Sequence, residues 1–241
     1  MNTQHDSKVS SDKKSIANRS LLLIWQNPAT RTFHKVGQLD VLNGDKYVFS
    51  YLPEAHNLDG FTPLVEFPEM DVPTTTETLP FFFSNRVMTT KRPGYAEYLN
   101  WLGLSDVNPE LVPFESLIRT GGGRTTDTFH VVEKPDDGRE FVSRFFVSGV
   151  RYLDDSASVI GSLKDGASLE LQQEPDNVKN PYAVRVQTSL GQKVGYVPDW
   201  LCADITHMMD GDAQVRAVAE QVNKDAPFHL QVLCRIEIER A

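Results

Sequence analysis

The chain has 241 residues, of which 40% are hydrophobic and 24% are charged, a globular balance with room for one large domain or two small ones. Its net charge of −9 excludes a protein that coats duplex nucleic acid through a broad basic face, because that polymer is a polyanion. Residues 141–241 hold ten basic and fourteen acidic residues, so both halves are acidic and any nucleic acid would need a local pocket.

The composition also bears on location and cofactors. The longest apolar run, residues 20–25, is too short to span a bilayer, and residues 1–19 lack the apolar stretch of a signal peptide. Cys202 and Cys234 make neither a disulfide framework nor, without other ligands at metal spacing, a zinc site. We therefore predict a cytoplasmic protein with reduced thiols, no membrane contact, no metal and no cofactor.

The N-terminal part mixes strand and helix patterns. It begins with a polar tail, residues 1–19, which we expect to be disordered. Asn43-Gly44 is a strong hairpin signal between two strands, and Pro80 and Gly103 are typical of a helix start and a helix end. The predicted strands are residues 20–26, 35–39, 47–51 and 126–132, and the predicted helices are residues 79–88, 93–102 and 113–119, with loops at 53–63 and 68–78.

A linker at residues 134–140, rich in Lys, Pro, Asp and Gly, separates this α+β domain (20–133) from a strand-rich domain at 141–241. Gly149 indicates a kink within the first long strand, and Pro198 opens a short helix over residues 199–209. The predicted strands are residues 141–153, 168–173, 183–188, 193–197, 214–222 and 229–239. Short strands at even spacing, with one or two short helices, predict a small, mostly β barrel.

Four ordered blocks of this second domain resemble the HIRAN domain. They are Phe-Val-Ser-Gly-Val-Arg-Tyr at 146–152, Leu-Glu-Leu-Gln-Gln-Glu-Pro-Asp-Asn at 169–177, Ala-Val-Arg-Val at 183–186 and Lys-Val-Gly-Tyr-Val-Pro at 193–198. The resemblance implies an OB-like barrel that grips the 3′ end of single-stranded DNA. By position, Arg151 and Tyr152 match a phosphate contact and a base-stacking aromatic, and Asn177 and Tyr196 match positions that line the same groove.

The chain departs from that family between the second and third blocks. Where the eukaryotic members have Asn-Pro-Tyr-Asp, this chain has Asn177-Val178-Lys179-Asn180. Asn180 thus stands in place of an acidic residue that would recognise a terminal hydroxyl, although an amide still donates and accepts hydrogen bonds. Lys179 could contact a phosphate where the family stacks a ring. We expect weaker discrimination for a free 3′ end.

The same residues also have purely structural interpretations. Arg151 could pair with a nearby carboxylate, Tyr152 could fill the barrel, and Asn177 could only shape a turn. The binding interpretation rests on general chemistry as well as on the resemblance, because a guanidinium pairs with phosphate and an aromatic face stacks on any base. The sequence leaves both interpretations open.

The N-terminal half resembles the N-terminal subdomain of HipA-type toxin kinases. The blocks are residues 35–39 and 47–51 followed by Pro63-Leu64, then 79–88 with its Phe and Asn signature, 92–104 and 113–118. In those kinases this subdomain precedes a catalytic core and contacts partner proteins. Here no catalytic-loop Asp followed by Asn, and no metal-binding Asp motif, follows it. The resemblance implies protein docking without kinase activity.

Other motifs give no sign of catalysis. The glycine-rich segment at residues 120–124 lacks the Gly-Lys-Ser/Thr ending of a phosphate loop and predicts a flexible connection. Asp210-Gly211-Asp212 lacks the further ligands of a calcium loop and predicts a turn. Asp154-Asp155 predicts another turn, and no Gly-x-Ser-x-Gly nucleophile elbow occurs. Of Phe81, Phe82 and Phe83, helical spacing sends two into the core.

The sequence therefore predicts a binding protein with no catalytic residues. Its barrel would hold single-stranded or end-containing DNA, and its first domain would dock a protein partner, either a HipA-type kinase or a DNA-processing enzyme. The alternative is an antitoxin-like regulator of a HipA-type kinase without DNA binding, which the acidity favours. A third is an accessory subunit whose hydrolase activity lies in another chain.

Overall fold

The structure, a computed structural model, describes residues 19–42, 46–135, 140–209 and 213–239. Several sequence-based predictions lie outside these residues: the tail up to residue 18, the hairpin signal Asn43-Gly44, most of the linker, and Asp210-Gly211-Asp212. No helix in the described part of the chain is long and apolar enough to cross a membrane.

The N-terminal half is built on a five-stranded antiparallel sheet in the order β4-β3-β2-β1-β5. Its central strand β1 is apolar at almost every position because both of its faces are covered. Leu21 and Leu23 point into the core of the N-terminal half, whereas Leu22 and Ile24 point into a core shared with the barrel. The strands are β1 (Ser20–Gln26), β2 (Phe33–Leu42), β3 (Lys46–Tyr51), β4 (Thr74–Thr76) and β5 (Phe129–Glu133).

The N-terminal half has three short helices, namely α1 (Phe81–Ser84), α2 (Tyr95–Trp101) and α3 (Val112–Thr120). Helices α1 and α3 pack on this sheet, whereas α2 packs against an apolar cluster shared with the C-terminal half. The predicted helix at 79–88 is only one turn long, because the chain leaves helical geometry after Ser84. Two of its three phenylalanines enter the core as predicted: Phe83 is fully buried and Phe82 packs against it, while Phe81 is 70% exposed. The loop predicted at 68–78 contains strand β4.

The C-terminal half is a curled six-stranded antiparallel sheet in the order β6-β11-β10-β7-β8-β9. Reciprocal backbone hydrogen bonds of 2.8 Å between Ser148 and Tyr196 join its two edges. Gly195 permits this closure, because a Cβ there would overlap the carbonyl oxygen of Ser148. The elements are β6 (Glu140–Phe146), α4 (Ser156–Ser162), β7 (Ala167–Gln173), β8 (Val184–Thr188), β9 (Lys193–Tyr196), α5 (Asp199–Met209), β10 (Gln214–Val222) and β11 (Val232–Glu239).

Two predictions for the barrel need correction. The strand predicted at 141–153 ends at Phe146, since Gly149, with φ of +80°, turns the chain into a 3-10 helix at Val150–Tyr152. The barrel also carries more helix than the one or two short helices predicted: α4 and α5, and a second 3-10 helix at Phe228–Leu230. Helix α4 begins where Asp155, predicted to lie in a turn, accepts a hydrogen bond from the Ser158 backbone amide.

The two halves pack tightly against each other. One apolar cluster joins Leu22, Ile24 and Val132 of the first sheet to the barrel and α5. A second joins the segment after α2 to the barrel, and its members are Leu102, Leu104, Val112, Phe146, Ala226, Leu230 and Leu233. Lys35 also pairs with Asp204 across the boundary at 2.7 Å. The relative position of the two halves is therefore set by these two buried apolar clusters, the first of which includes residues of β1 and the second a residue of β6.

Candidate functional site

A cleft of about 660 Å³ opens where the two halves meet, a volume in the range of small-molecule sites. The barrel supplies one wall, chiefly the two 3-10 helices and the start of α5. The N-terminal half supplies the other, from α2 and the end of α3. The lining residues are Arg86, Tyr98, Ile118, Arg119, Thr120, Gly121, Gly123, Phe145, Phe146, Val147, Ser148, Gly149, Val150, Arg151, Tyr152, Pro198, Trp200, Leu201, Pro227, Phe228, His229 and Leu230.

The cleft is lined by basic side chains although the chain is acidic. Three arginines and one histidine line it, and no Asp or Glu occurs among the lining residues that the structure describes. Burial lowers the pKa of the histidine, His229, and so favours its neutral form. Arg86 and Arg119 are ion-paired behind the wall, to Asp127 at 2.7 Å and to Glu115 at 3.8 Å. Arg151 is the lining arginine that has no carboxylate partner among the described residues, so an anion is favoured beside it at the mouth of the cleft.

Arg151 and Tyr152 form an exposed pair at the mouth of the cleft. The 3-10 helix that follows Gly149 places them side by side, with the guanidinium carbon 4.5 Å from the ring centroid. The guanidinium also donates to the Tyr152 hydroxyl. Among the described residues, Arg151 has no carboxylate partner, and Tyr152 is 73% exposed. Neither of the structural interpretations offered for them describes this geometry.

Asn177 and Asn180 lie in a turn outside the cleft. The Asn177 side-chain oxygen accepts hydrogen bonds from the backbone amides of Lys179 (3.0 Å) and Asn180 (3.3 Å), so Asn177 shapes the turn, as its structural interpretation expects. The Asn180 amide donates to Asp199 at 3.3 Å. Lys179 is exposed at the tip of the same turn.

Tyr196 connects this turn to the exposed pair. Its hydroxyl donates to Glu174 at 3.1 Å, and Glu174 also accepts from the Asn177 amide at 3.0 Å. Burial by itself would raise the pKa of Glu174, but these two hydrogen bonds and the charge of Arg185 outweigh burial and lower it. The ring of Tyr196 lies against Gly149, where a Cβ would be 3.7 Å away.

The six predicted site residues therefore occupy one end of the barrel in two adjoining groups. Arg151 and Tyr152 line the cleft, whereas the remaining four lie beside it: Asn177, Lys179, Asn180 and Tyr196. The Ser148–Tyr196 hydrogen bonds are the physical link between the groups.

The sequence did not identify the residues where the two walls touch. Trp200 stacks on His130 of β5, with centroids 4.0 Å apart and planes at 7°. Gly121, with φ of +70°, lies directly under Trp200, and a Cβ there would be 2.6 Å from the ring. Burial first, and then the charge of Arg86, lowers the pKa of His130 to about 4. The segment predicted to be a flexible connection is thus a tight packing point.

In the sequence, the position of this contact is marked by the glycine run Gly121-Gly122-Gly123. A glycine with positive φ directly after a helix is an ordinary helix end, so the run does not identify its packing partner. Tyr98 lies in the block at residues 92–104 and His229 at the start of the strand predicted at 229–239, but neither pattern marks them, or Phe228, as cleft residues.

A closed, curled six-stranded sheet with a cleft at its rim defines a small OB-like barrel module. The HIRAN domain family model matches residues 141–240, and this part of the chain is a HIRAN domain. The match lies in the C-terminal half, and the HipA-type resemblance of residues 20–133 stays a prediction.

Two solved structures are similar to part of the chain. A crystal structure of a protein from Lactobacillus plantarum is 21% identical, covering 42% of this chain and 99% of its own, with a TM-score of 0.35. The HIRAN domain of human HLTF is 20% identical, covering 43% of this chain and 81% of its own, with a TM-score of 0.34. No curated protein shows significant sequence similarity to the chain.

Proposed function

We propose that this chain is a non-catalytic nucleic-acid-binding protein whose HIRAN domain holds single-stranded or end-containing DNA at the mouth of the cleft. The observation that carries the proposal is the exposed pair at the mouth of the cleft: Arg151 has no carboxylate partner among the described residues, and Tyr152 beside it is 73% exposed. The HIRAN domain at residues 141–240 supports it. Acidic surroundings repel a polyanion, so binding is restricted to this local site.

Arg151 and Tyr152 divide the recognition of a nucleotide between them. Arg151, which lacks a carboxylate partner among the described residues, pairs with a backbone phosphate. Tyr152 has one ring face under the guanidinium and most of its surface open, so a base stacks on the free face. Neither contact reads a base edge, and binding is expected to tolerate any sequence.

The turn beside the cleft supplies secondary contacts. Lys179, exposed at its tip, meets a second phosphate, and the ring of Tyr196 borders the path between the two groups. Asn180 is engaged by Asp199 at 3.3 Å, and as a neutral amide it holds a terminal hydroxyl less firmly than a carboxylate does. We expect a small preference for a free 3′ end.

The test is fluorescence anisotropy with labelled single-stranded DNA bearing a free or a blocked 3′ end, at low and at physiological salt. Arg151→Ala and Tyr152→Ala should each weaken binding by about 5-fold to 150-fold, which corresponds to about 1–3 kcal/mol for one lost nucleotide contact. Only Arg151→Ala lowers the slope of log affinity against log salt, by about one.

Two exposed residues serve as matched controls. Arg216, whose side chain is 76% exposed, and Phe81, which is 70% exposed, lie outside the cleft lining. Arg216→Ala and Phe81→Ala should leave the affinity unchanged. Absence of wild-type binding at low salt, or equal losses in the control variants, would refute the proposal.

One observation favours a second function, the antitoxin-like regulator. Phe81 is 70% exposed and Val65 is 99% exposed, and they are neighbours because the Glu66 carboxylate accepts from the Phe81 backbone amide at 2.8 Å. Exposed apolar side chains mark a protein-docking surface where they form a contiguous patch, and these two are the exposed apolar side chains of this part of the molecule that such a patch would use. Under this proposal, a purified HipA-type kinase binds the full chain, and Phe81→Ser weakens the complex while DNA binding is absent.

A further inference from the structure

We propose that the N-terminal half forms a second strand-binding wall of the same cleft, in which the side chain of Tyr98 contacts a nucleotide held beyond Arg151 and Tyr152. This inference rests on the proposed function and extends it, since it makes the site composite. A single strand would then pass from the exposed pair into the gap between the two halves, and the HIRAN domain alone would supply only part of the site.

Tyr98 has the placement that this role needs. It lies on α2, lines the cleft, and packs against the apolar cluster that contains Leu230 of the 3-10 helix on the opposite wall. Its hydroxyl has no hydrogen-bond partner in the part of the chain that the structure describes, and it is not sealed from solvent. A half-buried phenol that faces a cleft with its hydroxyl unused offers both a ring face and a donor.

The second wall is held in place and does not need to close around a ligand. Trp200 from the barrel is stacked on His130 and seated on Gly121, both from the N-terminal half. Side-chain amides of the barrel also donate to backbone carbonyls directly after Tyr98: Gln221 to Asn100 at 2.7 Å and Asn223 to Trp101 at 2.8 Å. These contacts fix α2 against the barrel, and a fixed wall costs less ordering on binding.

The chemistry of the two walls matches a strand with unpaired bases. Aromatic side chains come from both sides: Tyr98 from α2, Tyr152 from the first 3-10 helix, and Phe228 with His229 from the second. Stacking on such side chains requires bases that are not already stacked inside a duplex. Arg151, the lining arginine without a carboxylate partner among the described residues, favours a phosphate of the same strand.

Anisotropy of the full chain with a labelled oligothymidylate tests Tyr98 directly. Tyr98→Ala should lower the affinity by about 5-fold to 100-fold, as expected for one lost base contact, and should leave the salt dependence unchanged because no charge is removed. Tyr95→Ala is the matched control, since Tyr95 is one turn earlier on α2 and outside the cleft lining. Tyr98→Phe, which keeps the packed ring, should retain most of the affinity if the ring face is the contact.

Photocrosslinking gives a readout that does not depend on stability. A strand carrying 5-bromodeoxyuridine should crosslink within residues 95–101 as well as near Tyr152, and the crosslink in α2 should disappear in Tyr98→Ala. Crosslinks confined to the barrel, together with unchanged affinity in Tyr98→Ala, would overturn this inference and leave the proposed function intact. A wild-type protein that binds no strand at low salt would overturn both.

Discussion

Replacing Gly121 with alanine tests the contact that joins the two walls of the cleft. Gly121 ends α3 with φ of +70° and lies under the indole of Trp200, so that a Cβ would be 2.6 Å from the ring. The indole cannot move aside freely, because it is stacked at 4.0 Å on His130. The substitution therefore has two separate costs, one from the backbone and one from the ring.

The two costs can be estimated from general magnitudes. An alanine in the left-handed region costs about 1–2 kcal/mol relative to glycine, and forcing a carbon into a packed contact costs about 1–3 kcal/mol. Together they amount to about 2–5 kcal/mol, a large fraction of the stability of an ordinary domain, which is about 5–15 kcal/mol. We expect Gly121→Ala to be among the most destabilising single-methyl additions in this chain.

Urea unfolding followed by circular dichroism measures the free energy of unfolding of each variant. Gly60 and Gly191 are the controls, because both have φ of +76° and nothing lies within 4 Å of the Cβ position. In Gly60→Ala and Gly191→Ala, the free energy of unfolding should fall by the backbone contribution alone. A double-mutant cycle with Trp200→Ala completes the test. Trp200→Ala should lower the free energy of unfolding by about 1–3 kcal/mol less in the Gly121→Ala background than in the wild type, because the clash with the indole is then relieved. Equal losses at Gly121 and the controls, with no coupling to Trp200, would refute the packing argument.

Two further predictions concern His130 and the closure of the barrel. The unfolded pKa of histidine is about 6.5 and that of folded His130 is about 4, so between these values the unfolded chain binds more protons. The stability that depends on neutral His130 is complete above pH 6.5 and falls by up to about 3 kcal/mol as the pH drops towards 4. In urea unfolding measured at several pH values, His130→Gln should therefore reduce the dependence of the free energy of unfolding on pH. Gly195→Ala should break the hydrogen bonds between Ser148 and Tyr196 and lower the free energy of unfolding by more than about 2 kcal/mol in the same assay. It should also weaken DNA binding, because it displaces the 3-10 helix that carries Tyr152.

These two predictions also have outcomes that would contradict them. For His130, a slope that is unchanged in His130→Gln would mean that other groups, including the nearby Asp127, carry the acid sensitivity. For the barrel, Gly161→Ala is the control, because Gly161 lies in α4 with nothing within 4 Å of its Cβ position. That variant should gain about 0.5–1 kcal/mol from helix propensity. A Gly195→Ala variant as stable as Gly161→Ala would show that the edges do not meet at Ser148.

Local sequence patterns predicted the strands and α5 accurately where one face is buried. Residues 199–209 and 214–222 were predicted with the observed bounds, since Pro198 opens the helix and strict alternation marks the strand. The patterns did not predict α4, because the short polar run around Ser156 has little helix propensity and depends on the cap provided by Asp155. They also extended one strand through Gly149, where φ is +80° and the chain turns into a 3-10 helix.

The candidate site was predicted only in part. Arg151 and Tyr152 were identified through the resemblance to the HIRAN domain, and both line the cleft. Asn177 was identified in the same way, but its side chain is committed to a turn. Tyr98 was not identified as a site residue, although it lies in the block at residues 92–104, because a tyrosine on a short helix is as typical of a core as of a binding surface.

The amino-acid sequence by itself determined the class of the C-terminal half, most of the strands and the acidic charge that restricts a polyanion to a local pocket, because these follow from local periodicity and from composition. It did not determine β4 or the end of β6. Only the tertiary structure decided that the two halves share apolar clusters, that Gly121 receives Trp200, and that α2 faces the 3-10 helix of Tyr152 across one cleft. The physical reason is that a cleft between two halves depends on contacts between residues far apart in the chain. Such contacts leave no periodic trace in either segment alone.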